Sequence, residues 1–226
     1  MQTDNNMIRH RLIQSIIWLT TYLVLYPILH IAFSVKIKSV NNFKNVNTPL
    51  LIIANHKSMI DPWIIPIMMP MKVFTKVSPI RFTGATYFNS PARQLLYTLG
   101  IIKFIYFLYD VIPLKKEGTL YEKLQPFKEA IGEGSAVMFF PEGTMVKEDK
   151  VKKFKRGSAV LAKMTNANIW PISIKYSGNG WRKKCDISYG KTFKIPKNLF
   201  QKNDNPHFTR ATAYLEQKIQ DLYKAQ

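Results

Sequence analysis

Residues 49–62 read PLLIIANHKSMIDP. Pro49 to Ala54 form an apolar run that ends in a polar turn, the pattern of a short buried strand. Helix signals follow at once. Pro62 suits a first helical position with Asp61 as N-cap, or Ser58 and Asp61 make a capping box one turn earlier. Strand, turn and helix in that order open an α/β unit, and the carboxyl ends of strands in open α/β sheets are where ligands bind.

The turn also holds rare residues. Between Asp4 and Asp110 the only acidic side chain is Asp61, and between His30 and His207 the only histidine is His56. On one continuous helix a five-residue offset would point the two side chains about 140° apart. They meet only if His56 lies in the turn before the helix, as either capping arrangement requires. A histidine held by a carboxylate can take a proton from a hydroxyl at neutral pH, because the carboxylate fixes the tautomer and stabilises the imidazolium. By themselves the same two residues also fit a plain cap, with His56 bonded to a nearby carbonyl. No second His or Cys stands at metal-ligand spacing.

Downstream, short apolar runs alternate with helical patterns. Helices are expected at Ser90 to Leu99, Thr119 to Ile131, Ser158 to Thr165 and Thr209 to Ala225, the last amphipathic and peripheral. Further buried strands are expected at Ser135 to Phe140 and Ile169 to Tyr176. The whole is an α/β fold, with a central mixed sheet flanked by helices. No repeat, low-complexity stretch or Pro/Gly/Ser linker divides it, so residues 39–226 form one domain behind an amino-terminal segment, residues 1–38.

A second group of polar residues follows the Ser135 to Phe140 strand. Phe140-Pro141-Glu142-Gly143-Thr144 places an acid at a strand end, and Phe154-Lys155-Arg156-Gly157 opens a helix. A helix amino terminus binds anions through free N–H groups, and an adjacent Arg adds a bidentate fork for phosphate. Lys115-Lys116, after Asp110-Val111-Ile112-Pro113-Leu114, is a third basic spot at a strand end. Each also reads as an ordinary turn or solvated face.

The amino-terminal segment from Leu12 to Val35 carries no Asp, Glu, Lys or Arg, with Arg9 and Arg11 before it and Lys36 and Lys38 after. It is long enough to cross a bilayer. Gln14, Thr20, Thr21, Pro27 and His30 interrupt it and basic residues stand at both ends, which favours a kinked helix or hairpin in the membrane interface over a simple span. The chain carries 33 Lys and Arg against 14 Asp and Glu, a formal charge of +19 that calls for an anionic partner. No nucleic-acid-binding motif accompanies that charge, and the apolar amino terminus points to lipid instead. The single cysteine, Cys185, excludes an intrachain disulfide.

Taken in order, these strings resemble the 1-acylglycerol-3-phosphate acyltransferase family and its glycerolipid relatives. The family's His-x4-Asp motif is matched by His56 and Asp61 in an Asn-His-x-Ser setting, its Phe-Pro-Glu-Gly-Thr motif by Phe140 to Thr144, and the downstream Phe-Lys-x-Gly by Phe154, Lys155 and Gly157. An apolar-Pro-apolar step falls at Trp170-Pro171-Ile172. One motif departs: an apolar, aromatic stretch separates Gly100 from Val111 to Leu114, and Lys115-Lys116 stand where the family has Arg. Lysine neutralises phosphate without the planar fork.

The resemblance implies transfer of a fatty acyl group from a thioester, acyl-coenzyme A or acyl carrier protein, to the hydroxyl of lysophosphatidate. A different lysolipid or glycerol 3-phosphate is the alternative acceptor. It implies His56 as general base, Asp61 as its orienting partner, and Lys115 or Lys116 with Arg156 as a phosphate clamp. Glu142, Gly143 and Thr144 would shape the acceptor site. No metal, cofactor or covalent acyl-enzyme is implied, and the expected location is the cytoplasmic face of the inner membrane. A serine nucleophile at Ser58 or Ser158 is the rival chemistry, but neither lies in a Gly-x-Ser-x-Gly elbow.

Overall fold

The apolar run after Pro49 becomes strand β2 (Leu50–Ala54), buried at every position. In the computed structural model, which describes residues 2–38, 40–86, 88, 90–114, 117–178, 182–200 and 208–226, β2 lies at the middle of a seven-stranded sheet. Strands β5 (Ala136–Phe139) and β6 (Asn168–Ser177) flank it, both parallel. Beyond β5 come β3 (Ile80–Ala85) and β4 (Ile112–Leu114), again parallel. Beyond β6 the direction reverses: β7 (Lys183–Tyr189) is antiparallel to it, and β1 (Phe33–Lys38) closes that edge parallel to β7. The sheet is therefore mixed and flanked by helices, as the sequence pattern indicates.

Alternation along β2 divides the core. Leu50, Ile52 and Ala54 face a cluster shared with helices α1 (Gln2–Ala32), α2 (Asp61–Ile67) and α3 (Met71–Val77), against which Tyr106 of α5 (Ile101–Leu108) also packs. Leu51 and Ile53 face the other cluster, built with α6 (Leu120–Gly132), α7 (Gly157–Thr165) and α8 (Thr209–Lys224). Helix α6 starts on a capping box: Thr119 Oγ1 accepts the Glu122 N–H while Glu122 accepts that of Thr119. Helix α4 (Pro91–Thr98) precedes α5, and both keep apolar side chains exposed, among them Leu95, Leu99, Phe104 and Phe107.

The amino-terminal segment is one helix, not a hairpin, with Pro27 inside it. Phe33 to Val35, which hydropathy joins to that segment, belong to the sheet, because pairing with β7 satisfies their backbone groups. Residues 1–38 thus include the edge strand of the domain they precede. One stripe of α1, comprising Gln14, Trp18, Thr21, Tyr22 and Leu29, is buried. Trp18 is fully enclosed, with ring centroids of Tyr109 at 5.3 Å and Phe74 at 6.2 Å, and the Tyr22 hydroxyl donates to the Met69 carbonyl at 3.1 Å. Leu12, Ile16, Leu23, Val24, Ile28 and Ile31 remain exposed on the rest of the helix.

Candidate active site

Because β2 and β5 run parallel with Ile53 opposite Phe139, the loops that leave them lie side by side. Asn55, fully buried, continues the pairing where β2 stops. Its amide donates to the Ile174 carbonyl at 2.9 Å and accepts the Ile174 N–H at 2.8 Å, which pins the first loop to β6. Its neighbour His56 is held by its backbone: the N–H donates to Glu142 Oε2 at 2.7 Å, and the carbonyl accepts from Val146 at 2.8 Å. The imidazole stacks on Phe140 with ring centroids 4.3 Å apart.

His56 Nδ1 lies 2.9 Å from Asp61 Oδ2. His56 sits in the turn and Asp61 is the first residue of α2, the arrangement the five-residue spacing demands. Asp61 is not, however, the helix cap. Ile60 occupies that position in helical geometry, and the Asp61 carboxylate turns back to accept the N–H groups of Lys57 at 2.6 Å and Ser58 at 2.8 Å. This is nearer to the earlier capping box, with Ser58 Oγ accepting the Ile60 N–H at 3.4 Å. A turn that must hold a side-chain pair uses the carboxylate for the turn itself. The other oxygen, Oδ1, accepts the Tyr176 hydroxyl at 2.9 Å.

Asp61 has no solvent exposure, whereas the His56 side chain keeps 19%. An ionised carboxylate only accepts, so Nδ1 carries the proton and Nε2 presents its lone pair. Among the described residues Nε2 has no hydrogen-bond partner. The arrangement can take a proton from a hydroxyl placed at that nitrogen and return it to a leaving group.

Glu142 enters the site from the loop after β5. Its carboxylate is buried, one oxygen on the His56 N–H and the other on the Lys152 N–H at 2.8 Å, so it ties the two loops together. Burial pushes its carboxyl above the ordinary range, against the pull of those two donors and of the Lys57 ammonium. Lys57 ties the same two loops at a further point: its ammonium, lowered by burial, donates to the carbonyls of Glu148 at 2.6 Å and Lys150 at 2.7 Å.

Gly143 has φ +68°, a left-handed geometry that glycine adopts without strain. A Cβ there would stand 2.7 Å from Lys155 Nζ, so the lysine side chain lies across the glycine. Thr144 is exposed beside it, and exposed Arg156 occupies the N-cap of α7. Lys115 and Lys116 lie outside the described residues; β4, which precedes them, ends on the same side of the sheet as β2 and β5. Ser158 is fully buried in the first turn of α7, which removes it as an accessible nucleophile. Sequence reading missed Tyr176 and the bonding of Asn55 and Lys57, whose partners come from distant segments.

A family model described as acyltransferase matches residues 34–175, from β1 to the residue before Tyr176. The chain is 26% identical over 148 residues to a chloroplastic 1-acyl-sn-glycerol-3-phosphate acyltransferase of Arabidopsis thaliana, covering 65% of this chain and 37% of that one. It is 24% identical over 183 residues to a probable 1-acyl-sn-glycerol-3-phosphate acyltransferase of Mycoplasma genitalium, covering 76% and 62%. A probable enzyme of the same name from Mycoplasma pneumoniae is 29% identical over 140 residues, covering 62% and 49%. The chain thus spans between about a third and two thirds of the length of these relatives. In fold it is similar to the 1-acyl-sn-glycerophosphate acyltransferase PlsC of Thermotoga maritima, with TM-score 0.59 and 17% identity over 91% of this chain and 77% of that one.

Proposed function

The chain belongs to the acyltransferase family, and on that premise we propose that it moves a fatty acyl group from a thioester to the free hydroxyl of 1-acylglycerol 3-phosphate, giving phosphatidate for phospholipid synthesis. The observation that carries this reading is the 2.9 Å contact of His56 Nδ1 with a fully buried Asp61, leaving Nε2 open at the exposed edge of the turn. His56 Nε2 takes the proton of the acceptor hydroxyl as its oxygen attacks the thioester carbonyl. The tetrahedral intermediate collapses, the C–S bond breaks, and the imidazolium returns the proton to the departing thiolate. Ester and free thiol are the products. Such a base contributes about 10² to 10⁴ in rate.

The acceptor phosphate is assigned to Lys115 or Lys116 with Arg156, and the shaping of the acceptor site to Glu142, Gly143 and Thr144. Lys155, lying across Gly143, adds a further cation there. Lysine in place of the expected Arg favours testing other acceptors, so lysophosphatidylcholine and glycerol 3-phosphate belong in the assay as competitors.

The enzyme is placed on the membrane surface, at the cytoplasmic face of the inner membrane. Helix α1 is long and apolar enough to cross a bilayer, yet its stripe from Gln14 to Leu29 is covered by the domain, so lipid cannot surround it. Its open face and the exposed residues of α4 and α5 suit the interface, and the charge of +19 favours anionic lipid.

The deciding experiment is transfer of labelled oleate, from coenzyme A and from acyl carrier protein in turn, onto lysophosphatidate by detergent-purified protein beside folded His56→Ala. Labelled phosphatidate that falls by about 10²-fold or more in the variant supports both the reaction and the base. No product from either donor, or an undiminished rate in the variant, sinks the assignment.

A further inference from the structure

The carboxylate that faces His56 is gripped from two sides. Oδ2 of Asp61 takes His56 Nδ1 and two backbone N–H groups, all from its own loop. Oδ1 takes one donor among the described residues, the hydroxyl of Tyr176, from a strand 115 positions away. Tyr176 is near the end of β6, past the point where β6 pairs with β2, and directly opposite Cys185 in the antiparallel register with β7. The Cys185 side chain there is fully buried.

We propose that Tyr176 is a positioning residue for the His56–Asp61 pair, its hydroxyl fixing the buried Asp61 carboxylate from the far side. The inference rests on the acyl-transfer reading above and extends it to the antiparallel edge of the sheet. A hydroxyl has one proton and two acceptor lone pairs. That proton lies on Asp61 Oδ1. Burial pushes the tyrosine upward, so it stays protonated and able to donate. The carboxylate plane is then fixed by donors on both oxygens, and Oδ2 is held toward Nδ1. Phe33 of β1 packs its ring 5.8 Å from that of Tyr176 and limits its movement.

Removing the hydroxyl would leave a buried carboxylate oxygen bare and its charge less offset at His56. The ionisable groups around the pair are Lys57 on the same loop, Glu142 from the loop after β5, Tyr176 on β6 and Cys185 on β7. In Tyr176→Phe the others are retained, so a shift in the pH profile belongs to the tyrosine. A carboxylate less neutralised by its donor favours the imidazolium, which moves the acid limb of kcat/KM to higher pH.

The test uses the full chain in detergent. Tyr176→Phe is expected to lower kcat about 10-fold or more, with both KM values little changed, as loss of a hydrogen bond to a charged group implies. The acid limb moves upward. Histidine ¹⁵N spectra, assigned with His56→Ala, are expected to show the Nδ1–H tautomer in wild type and a mixture in Tyr176→Phe. If Tyr176→Phe does not fold, the wild-type spectrum carries the test, because an Nε2–H tautomer there overturns the proposal. An unchanged tautomer and acid limb overturn the proposal, even if kcat falls with the folded fraction. If wild type transfers no acyl group, the function fails while the spectra still decide the positioning role.

Discussion

Asp61→Asn isolates the charge of the pair from its shape. The amide oxygen can take the place of Oδ2 and keep the His56, Lys57 and Ser58 donors, which lie 2.6–2.9 Å away. The amide nitrogen then faces Tyr176, whose hydroxyl can rotate to accept it. The fold therefore survives, at a cost of about 1–3 kcal/mol for weakening charge-assisted bonds. What disappears is the attraction between carboxylate and imidazolium. From the 2.9 Å contact the charge centres are about 4 Å apart, and at an effective dielectric near 20 that attraction is roughly 4 kcal/mol. The proton is only partly transferred at the transition state, so kcat is expected to fall by about 10² to 10³, at roughly 1.4 kcal/mol per decade. Initial rates of oleate transfer to lysophosphatidate at saturating donor measure it, with urea unfolding followed by Trp18 and Trp170 fluorescence as the check on folding. A loss below about 5-fold in a folded variant refutes the role given to the charge.

Glu142 makes a pH-dependent contribution of opposite sign to a normal ion pair. Its carboxyl binds a proton more tightly folded than unfolded, so its burial cost is absent in acid and grows as pH rises through and above the ordinary carboxylate range. Wild type is therefore expected to lose stability relative to Glu142→Gln between about pH 4.5 and neutrality, by urea titration; the opposite trend contradicts the assignment. Gly143→Ala adds a Cβ 2.7 Å from Lys155 Nζ at φ +68°, with an expected cost of about 1–3 kcal/mol and a raised KM for the phosphate-bearing acceptor. An unchanged KM argues against Lys155 at the phosphate. Trp18→Ala empties a fully enclosed site and is expected to cost about 3–5 kcal/mol; a loss below about 1 kcal/mol means α1 is not docked on the domain. Phe104→Ser with Phe107→Ser is expected to weaken flotation with anionic liposomes while leaving urea stability nearly unchanged, since both side chains are exposed.

What was legible in the sequence is what depends on near neighbours. The apolar run Pro49 to Ala54 reads as a buried strand, Thr119 to Ile131 as a helix, and the five-residue offset puts His56 in a turn if it meets Asp61. Each follows from backbone hydrogen bonding or helix geometry within one turn or strand, so spacing alone carries it. The partners that finish the site do not. Asn55 reaches Ile174 across 119 positions and Asp61 reaches Tyr176 across 115, and both contacts exist only because β6 lies beside β2. The same holds for Glu142, which along the chain is an acid at a strand end and clips the His56 backbone once two parallel strands bring their loops together. Hydropathy likewise marked Phe33 to Val35 as membrane segment, because an apolar residue reads alike whether sheet or lipid covers it. Strand order decided between them, and strand order is a property of the packed core that no local stretch encodes.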